Sequence, residues 1–237
     1  MKNVLLPALL WLLALVPALA QSTPGADARP RPVAAFHAVE VSNGIQLFLV
    51  AGQPARVAVS ATAPDDRDRI KTVVTDGVLR ISFDHSQTKW DRHAPDKQLR
   101  AYVTADRLTA LAASSGASVE VKDRYAADSL QIDLSSGASL RADFATTALA
   151  VRLGSGSEAT VGGRTTRLAV RAGSGSVFNG KNLQAVHGRA NAASGAAVQL
   201  VAEQTLAATA SSGGTVRYSG AAVARTSASS GGSISRH

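Results

Sequence analysis

The stretch Ser114–Leu140, SSGASVEVKDRYAADSLQIDLSSGASL, contains the phrase SSGAS twice, with the two glycines 21 residues apart. A Ser-Gly pair then recurs along the rest of the chain, and successive glycines are separated by 18 to 21 residues. The seven pairs are Ser115-Gly116, Ser136-Gly137, Ser155-Gly156, Ser174-Gly175, Ser194-Gly195, Ser212-Gly213 and Ser230-Gly231. A nearly constant interval over seven copies indicates an internal repeat.

Each repeat shows the two-residue period of a β-strand. Apolar residues occupy alternate positions before the glycine, as in Leu130, Ile132 and Leu134, and another follows it by three positions, as in Leu140. Short strands between evenly spaced turns predict an all-β, single-domain parallel β-solenoid with rungs of about 18–21 residues. A β-sandwich is the alternative, because its strand spacing also fits.

The Ser-Gly pairs are predicted to stack into a structural column of turns. Glycine supplies the positive φ that a tight corner needs, and serine is expected to hydrogen-bond the turn backbone or the neighbouring serine. A nucleophile would need a base within reach, but no repeat carries a histidine near its corner. Asp84, His85, Asp91 and His93 are close in sequence, but their spacing matches no metal cage. We therefore expect no catalytic residue, no metal and no cofactor.

The N-terminal 20 residues resemble a secretory signal peptide. Lys2 precedes the apolar run Val4–Val16, and Ala18-Leu19-Ala20 supplies the small residues of a cleavage site. An uncleaved N-terminal anchor is the alternative. Export to the periplasm, the outer surface or the medium is expected, and after cleavage the chain would not be an integral membrane protein. The chain has no cysteine, so disulfides cannot stabilise it there.

The remaining chain divides into three parts. Residues 21–35 are predicted to be a Pro-rich linker, with ordered structure beginning near Val33–Phe36. Residues 36–105 contain the turn signals Asn43-Gly44 and Asp76-Gly77 and are assigned to N-terminal rungs and a capping region. Residues 106–237 form the Ser-Gly repeat rungs. A short helical turn is expected at Pro64–Ile70.

The polar segment Asp84–Lys97 is predicted to protrude as a loop. It contains Trp90, and tryptophan is unusual in a polar loop. Trp90, His85, Arg92 and His93 are therefore candidate contacts to a partner. A merely solvated loop is the alternative.

Net positive charge is concentrated in the C-terminal third, because acids are scarce there. Residues 161–237 carry eight arginines and lysines and one acid, Glu203. The candidate partner contacts here are Arg164, Arg167, Arg171, Arg189, Arg217 and Arg225. Such a surface could bind an anionic or extended polysaccharide or another envelope protein, and the alternative is that it only maintains solubility. Nucleic acid is not expected, because the protein is predicted to be exported and no aromatics are interleaved with the basic residues.

Two phrases carry a family resemblance. FHAVEVSNGIQLFLVAGQPARVAVSA (Phe36–Ala61) and VVTDGVLRISF (Val73–Phe83), followed by the serial Ser-Gly phrases, resemble the putative auto-transporter adhesin, head GIN domain family. The resemblance implies a secreted or envelope-associated bacterial β-helical protein over residues 36–237. The family offers no catalytic residues to carry over.

These observations favour a non-enzymatic, exported module for binding, adhesion or scaffolding in the cell envelope. One alternative is a self-assembling structural protein whose solenoids stack end to end. Another is a polysaccharide-active β-helix enzyme, which would need clustered carboxylates on one rung face. The candidates for that cluster are Asp123, Asp128, Asp133 and Asp143.

Overall fold

A computed structural model describes residues 27–86 and 96–237. Its strands form one 17-stranded sheet that winds into a solenoid of about 7 turns, so the predicted all-β parallel solenoid is confirmed. The predicted signal peptide over residues 1–20 lies outside the described residues, as do Trp90, Arg92 and His93. Among the described residues, no helix has the length and apolar character needed to span a membrane.

The N-terminal third contains seven strands and one short helix. They are β1 (Arg29–Arg31), β2 (Ala38–Val41), β3 (Gln46–Val50), β4 (Arg56–Ser60), α1 (Pro64–Asp68), β5 (Ile70–Thr75), β6 (Val78–Phe83) and β7 (Arg100–Thr104). The helical turn predicted at Pro64 is present as α1. β1 lies inside the segment predicted as a linker, where it pairs antiparallel with β4. Ordered structure therefore begins earlier in the chain than expected.

The Ser-Gly repeats form the remaining ten strands. They are β8 (Ala110–Ala113), β9 (Ser118–Val121), β10 (Tyr125–Leu134), β11 (Ser139–Leu153), β12 (Glu158–Ala172), β13 (Val177–Ala192), β14 (Ala197–Ala210), β15 (Thr215–Ser219), β16 (Val223–Ala228) and β17 (Ser233–Arg236). Equivalent residues pair in parallel, as in Leu130 with Leu149 and Leu149 with Leu168. The separation along the chain between two such paired residues is the predicted length of one rung.

Three outward surfaces run along the solenoid. Face A is formed by strand segments before each Ser-Gly pair, face B by segments after it, and face C by the short third side that includes Phe144–Thr146. Alternate side chains on faces A and B point inward, and Leu130, Ile132 and Leu134 are buried as predicted. The inward residues become smaller toward the C-terminus, where Ala224, Thr226 and Ala228 are no longer buried.

The Ser-Gly corners are two-residue turns with positive φ at both residues. φ lies between 48° and 52° at the seven serines and between 69° and 75° at the seven glycines. Ser157 N–H closes one turn on Gly154 O at 3.1 Å, and Gly156 N–H donates to Ser174 O of the next turn at 3.0 Å. Gly44 N–H likewise donates to Ser115 O, so Asn43-Gly44 begins the same column.

The role expected of the serine hydroxyls was wrong. Among the described residues, the seven corner serines make no side-chain hydrogen bond; their backbone carbonyls connect the turns instead. Two serines placed one residue after the glycine do use their hydroxyls. Buried Ser157 Oγ accepts from Gly154 N–H and donates to Leu134 O, both at 3.1 Å, and Ser176 makes the equivalent bonds.

The N-terminal end is covered by strands in a non-sequential order. On face A the order is β5-β6-β2-β8, and on face B it is β1-β4-β7-β3-β9. β6 and β7 therefore form a layer outside β2 and β3, and β4 and β5 run antiparallel to it. The outermost strand on face A, β5, therefore runs antiparallel to the rungs, whereas the outermost strand on face B, β1, runs parallel to them.

Candidate functional site

Four arginines lie together on face A and form what we call the arginine cluster: Arg152, Arg167, Arg171 and Arg189. Arg152 on β11 pairs directly with Arg171 on β12, so their backbones are about 4.8 Å apart. Arg189 on β13 lies opposite Ala169, diagonally between Arg167 and Arg171. All four side chains are exposed. The cluster thus places like charges on neighbouring strands.

One acid offsets the charge of the cluster. Asp133 Oδ1 lies 3.4 Å from Arg152 Nη1, one rung below it. Within residues 27–86 and 96–237, Arg167, Arg171 and Arg189 form no ion pair. Like charges directly opposite on neighbouring strands destabilise a sheet. The cluster therefore costs stability unless an anion neutralises it.

A shallow groove runs beside the cluster. Its volume is about 660 Å³, and its polar lining includes Arg152, Arg171, Asn191 and the two acids Asp133 and Glu40. Small residues two positions before each glycine, such as Ser135, Gly154 and Gly173, also line it. The groove crosses the strands, so a long molecule lying in it would meet a new side chain at every rung.

The other predicted basic residues lie apart from the cluster. Arg225 is on face A but two strands beyond Arg189, and Arg217 is on face B, where it pairs with Gln199. Arg164 lines a groove of about 1020 Å³ on face C, together with acids that include Asp128 and Glu203. That groove is of mixed charge. The predicted set is therefore divided among three surfaces, and half of it, Arg167, Arg171 and Arg189, contributes to one cluster.

The ends of the predicted loop are anchored to the capping region. His85 packs edge-on against Phe83, with ring centroids 4.9 Å apart, and Lys97 Nζ lies 2.6 Å from Asp66 Oδ1. Lys71 Nζ lies 2.7 Å from Asp84 Oδ2, and this hydrogen bond holds the pKa of Asp84 well below its usual range. His85 is thus placed in packing at the base of the loop, and its role as a contact stays a prediction.

The carboxylates considered for an enzyme do not converge. Asp133 lies on face A, Asp143 lies at the edge of face B, and Asp128 lines the groove on face C. Asp123 is exposed in the bend after β9. Among the described residues, no three acids or histidines are grouped so that they could hold a metal ion.

The fold and its outward surfaces define a class, the parallel β-solenoids that present side chains in regular columns. Within that class, the chain belongs to the putative auto-transporter adhesin, head GIN domain family, whose model matches residues 35–222. The resemblance inferred from the sequence is thereby confirmed. The family description implies an exported or surface protein.

Solved structures share this fold at low sequence identity. A putative adhesin from Bacteroides fragilis is 17% identical, with a TM-score of 0.77 over 89% of this chain and 96% of its own. A putative adhesin from Parabacteroides distasonis is 14% identical, with a TM-score of 0.71 and the same coverages. A putative lipid binding protein from Parabacteroides distasonis is also 14% identical, with a TM-score of 0.62 over 89% and 96%. No curated protein matches the chain.

Proposed function

We propose that this protein is a non-enzymatic binding module of the cell envelope and that the arginine cluster on face A binds an extended anionic polysaccharide. The observation that carries this proposal is the in-register pair Arg152 and Arg171, with Arg167 and Arg189 beside it and a single acid, Asp133, in contact. Adhesin family membership supports a binding role in general.

The chemistry of the cluster favours carboxylate or sulfate groups. A guanidinium presents several N–H donors in one plane and matches the two oxygens of a carboxylate, which a lysine ammonium does not. The arginines are exposed, so each contact contributes little. A polymer that contacts several rungs at once would gain affinity through multivalency.

The groove beside the cluster favours an extended ligand over a small one. It is open and crosses several strands, and most of its other lining residues are small, apart from Leu134, Leu153 and the acid Glu40, which pairs with Arg80. A single anion would find no enclosing pocket there. A chain lying along the solenoid axis would place a charged group near a new rung at intervals of about 4.8 Å.

The test compares two variants that lose the same charge. The cluster variant carries Arg167→Gln, Arg171→Gln and Arg189→Gln, and the control variant carries Arg107→Gln, Arg124→Gln and Arg217→Gln on other surfaces. Binding to immobilised polygalacturonate is measured at low salt and at about 0.15 M ionic strength. Neutral dextran is the uncharged reference surface.

We expect the full chain to bind polygalacturonate with strong salt dependence and the cluster variant to lose about tenfold in affinity. The control variant should lose much less, because its arginines are dispersed. Equal losses in the two variants would reduce the effect to net charge and refute the proposed site. Absence of binding at low salt would refute the polysaccharide ligand.

A further inference from the structure

Two aromatic side chains lie outward on face B, where polar residues would be expected. Phe48 on β3 pairs directly with Tyr102 on β7, and their rings stack with centroids 5.4 Å apart and an interplanar angle of 19°. Both side chains are only partly buried. Lys122 Nζ lies 4.7 Å from the centroid of Phe48 and 2.6 Å from Glu120 Oε1. The Phe48 ring therefore stacks on Tyr102 and also makes a cation–π contact with the Lys122 ammonium.

The other side of Tyr102 has no comparable neighbour. The next residue in its column is Ala58 on β4, and the next after that is Pro30 on β1. Paired residues in antiparallel strands point to the same face, so a single methyl group separates the Tyr102 ring from the Pro30 ring. Pro30 is exposed and Ala58 is partly buried. We call this opening the Tyr102–Pro30 slot.

The width of the slot matches one six-membered sugar ring. Two antiparallel pairings separate the backbones of β1 and β7 by about 9–11 Å. A ring inserted between them needs about 7–8 Å for van der Waals contact on both sides. It would continue the existing stack, with Phe48, Tyr102, the sugar and Pro30 in sequence along the column.

The ends of the slot carry positive charge. On β4, Arg56 and Ser60 flank Ala58, and on β7 their partners are Thr104 and Arg100. Each end thus has one arginine, with the Thr104 hydroxyl beside Arg56, whereas Ser60 beside Arg100 is buried. In this column the first acid is Glu120, two strands beyond Tyr102 and paired with Lys122. An anionic substituent on the ring would meet an arginine at either end.

We propose that the Tyr102–Pro30 slot binds one acidic pyranose residue, with its C–H face on Tyr102 and its carboxylate on Arg56 or Arg100. Aromatic faces attract the weakly positive C–H face of a sugar, and guanidinium groups bind carboxylates. The slot lies on another face from the arginine cluster and does not depend on it.

The test uses short ligands that cannot reach across the molecule. Trigalacturonate is the probe, neutral galactotriose retains the rings without the charge, and tripolyphosphate retains charge without rings. Affinities for the full chain are measured by calorimetry, and saturation transfer from aromatic protons reports contact with the sugar C–H groups.

The variants distinguish a slot from a structural aromatic pair. Ala58→Leu fills the slot and leaves Tyr102 in place, whereas the matched control Ala58→Ser keeps it open. We expect Ala58→Leu and Tyr102→Leu each to weaken trigalacturonate binding about tenfold and Ala58→Ser to leave it unchanged. Thermal unfolding of each variant verifies that the fold is intact.

Unchanged binding of trigalacturonate by folded Ala58→Leu would overturn the proposal. Equal affinity for tripolyphosphate and trigalacturonate would also overturn it, because the ring would then be irrelevant. The Arg167, Arg171 and Arg189 variant should bind trigalacturonate like the unmodified chain. If that variant lost binding to polygalacturonate but still bound trigalacturonate, the loss would concern the arginine cluster on face A and not the slot.

Discussion

Three glycines within ten residues, two in a Ser-Gly turn and one inside β12, allow the backbone constraints to be tested one factor at a time. Gly154 has no positive φ, and a Cβ added there would meet nothing within 4 Å. Gly156 has the same open space but a φ of +70°. Gly163 has a φ of +100°, and a Cβ there would collide with the backbone of Phe144. Alanine substitutions at the three positions therefore separate the effect of the space available to a Cβ from the effect of a positive φ.

The expected free energies follow from these geometries. Gly154→Ala should leave the protein as stable or raise its unfolding free energy by about 0.4–1 kcal/mol, because alanine restricts the unfolded chain. Gly156→Ala gains the same amount but places an L-residue in the left-handed region, which costs about 1–2 kcal/mol. Its net loss should be about 1 kcal/mol. Gly163→Ala adds overpacking and should lose about 2–4 kcal/mol.

Urea unfolding and calorimetry measure these differences. A loss of about 1 kcal/mol corresponds to a fall in Tm of about 2–4 °C for a domain of this size. The order of stability should be Gly154→Ala, then Gly156→Ala, then Gly163→Ala. If Gly156→Ala proved as stable as Gly154→Ala, positive φ would not be the reason for glycine at the corner. The interpretation of the Ser-Gly repeat would then be refuted.

Two further predictions concern titrating groups. Tyr125 is buried, its Oη accepts from Leu108 N–H at 3.0 Å, and burial raises its pKa. Tyr125→Phe should therefore lower the unfolding free energy by about 1–3 kcal/mol at neutral pH, and equal urea midpoints would contradict this. Above about pH 10, where ionisation of Tyr125 in the unfolded chain is expected to destabilise the unmodified protein, the difference between the two proteins should become smaller. The pKa of Asp84 is lowered, so its stabilising contribution is present above the ordinary value of 3.8 and is lost as the pH falls below it. An NMR titration of the carboxyl group should give a midpoint below 3.8 that rises in Lys71→Gln, and an unchanged midpoint would exclude Lys71 as the cause.

The repeat part of the fold could be predicted because two constraints act at every rung. Inward positions must be apolar, and the corner must accept positive φ. The first constraint produces alternating apolar residues in each repeat, and the second produces the recurring Ser-Gly pair. In the described part of the chain, the hydrogen bond predicted for the corner serine hydroxyl is absent for a physical reason. Asn43 shows that its position belongs to a residue tolerating positive φ, and the hydroxyl there points to solvent rather than to the turn.

The arginine cluster could have been found from the repeat itself. Arg152 and Arg171 both stand four residues before the corner glycine of their rung, so alignment of the repeats places them in one column. Arg152 precedes residue 161 and so lies outside the basic C-terminal part of the sequence, residues 161–237. That part also contains Arg164 and Arg217, which lie on other faces.

The Tyr102–Pro30 slot depends on strand order, which no local pattern reveals. Phe48 and Tyr102 are 54 residues apart in the chain, and they meet because β7 inserts outside β3 rather than following it toward the repeats. Pro30 joins the column through a strand within the predicted linker. The solenoid constrains its inward and corner positions tightly and its outward positions hardly at all. The fold therefore does not account for the outward pair Arg152 and Arg171 or for the outward aromatic stack that ends at Ala58, and we propose ligand binding as the reason for each.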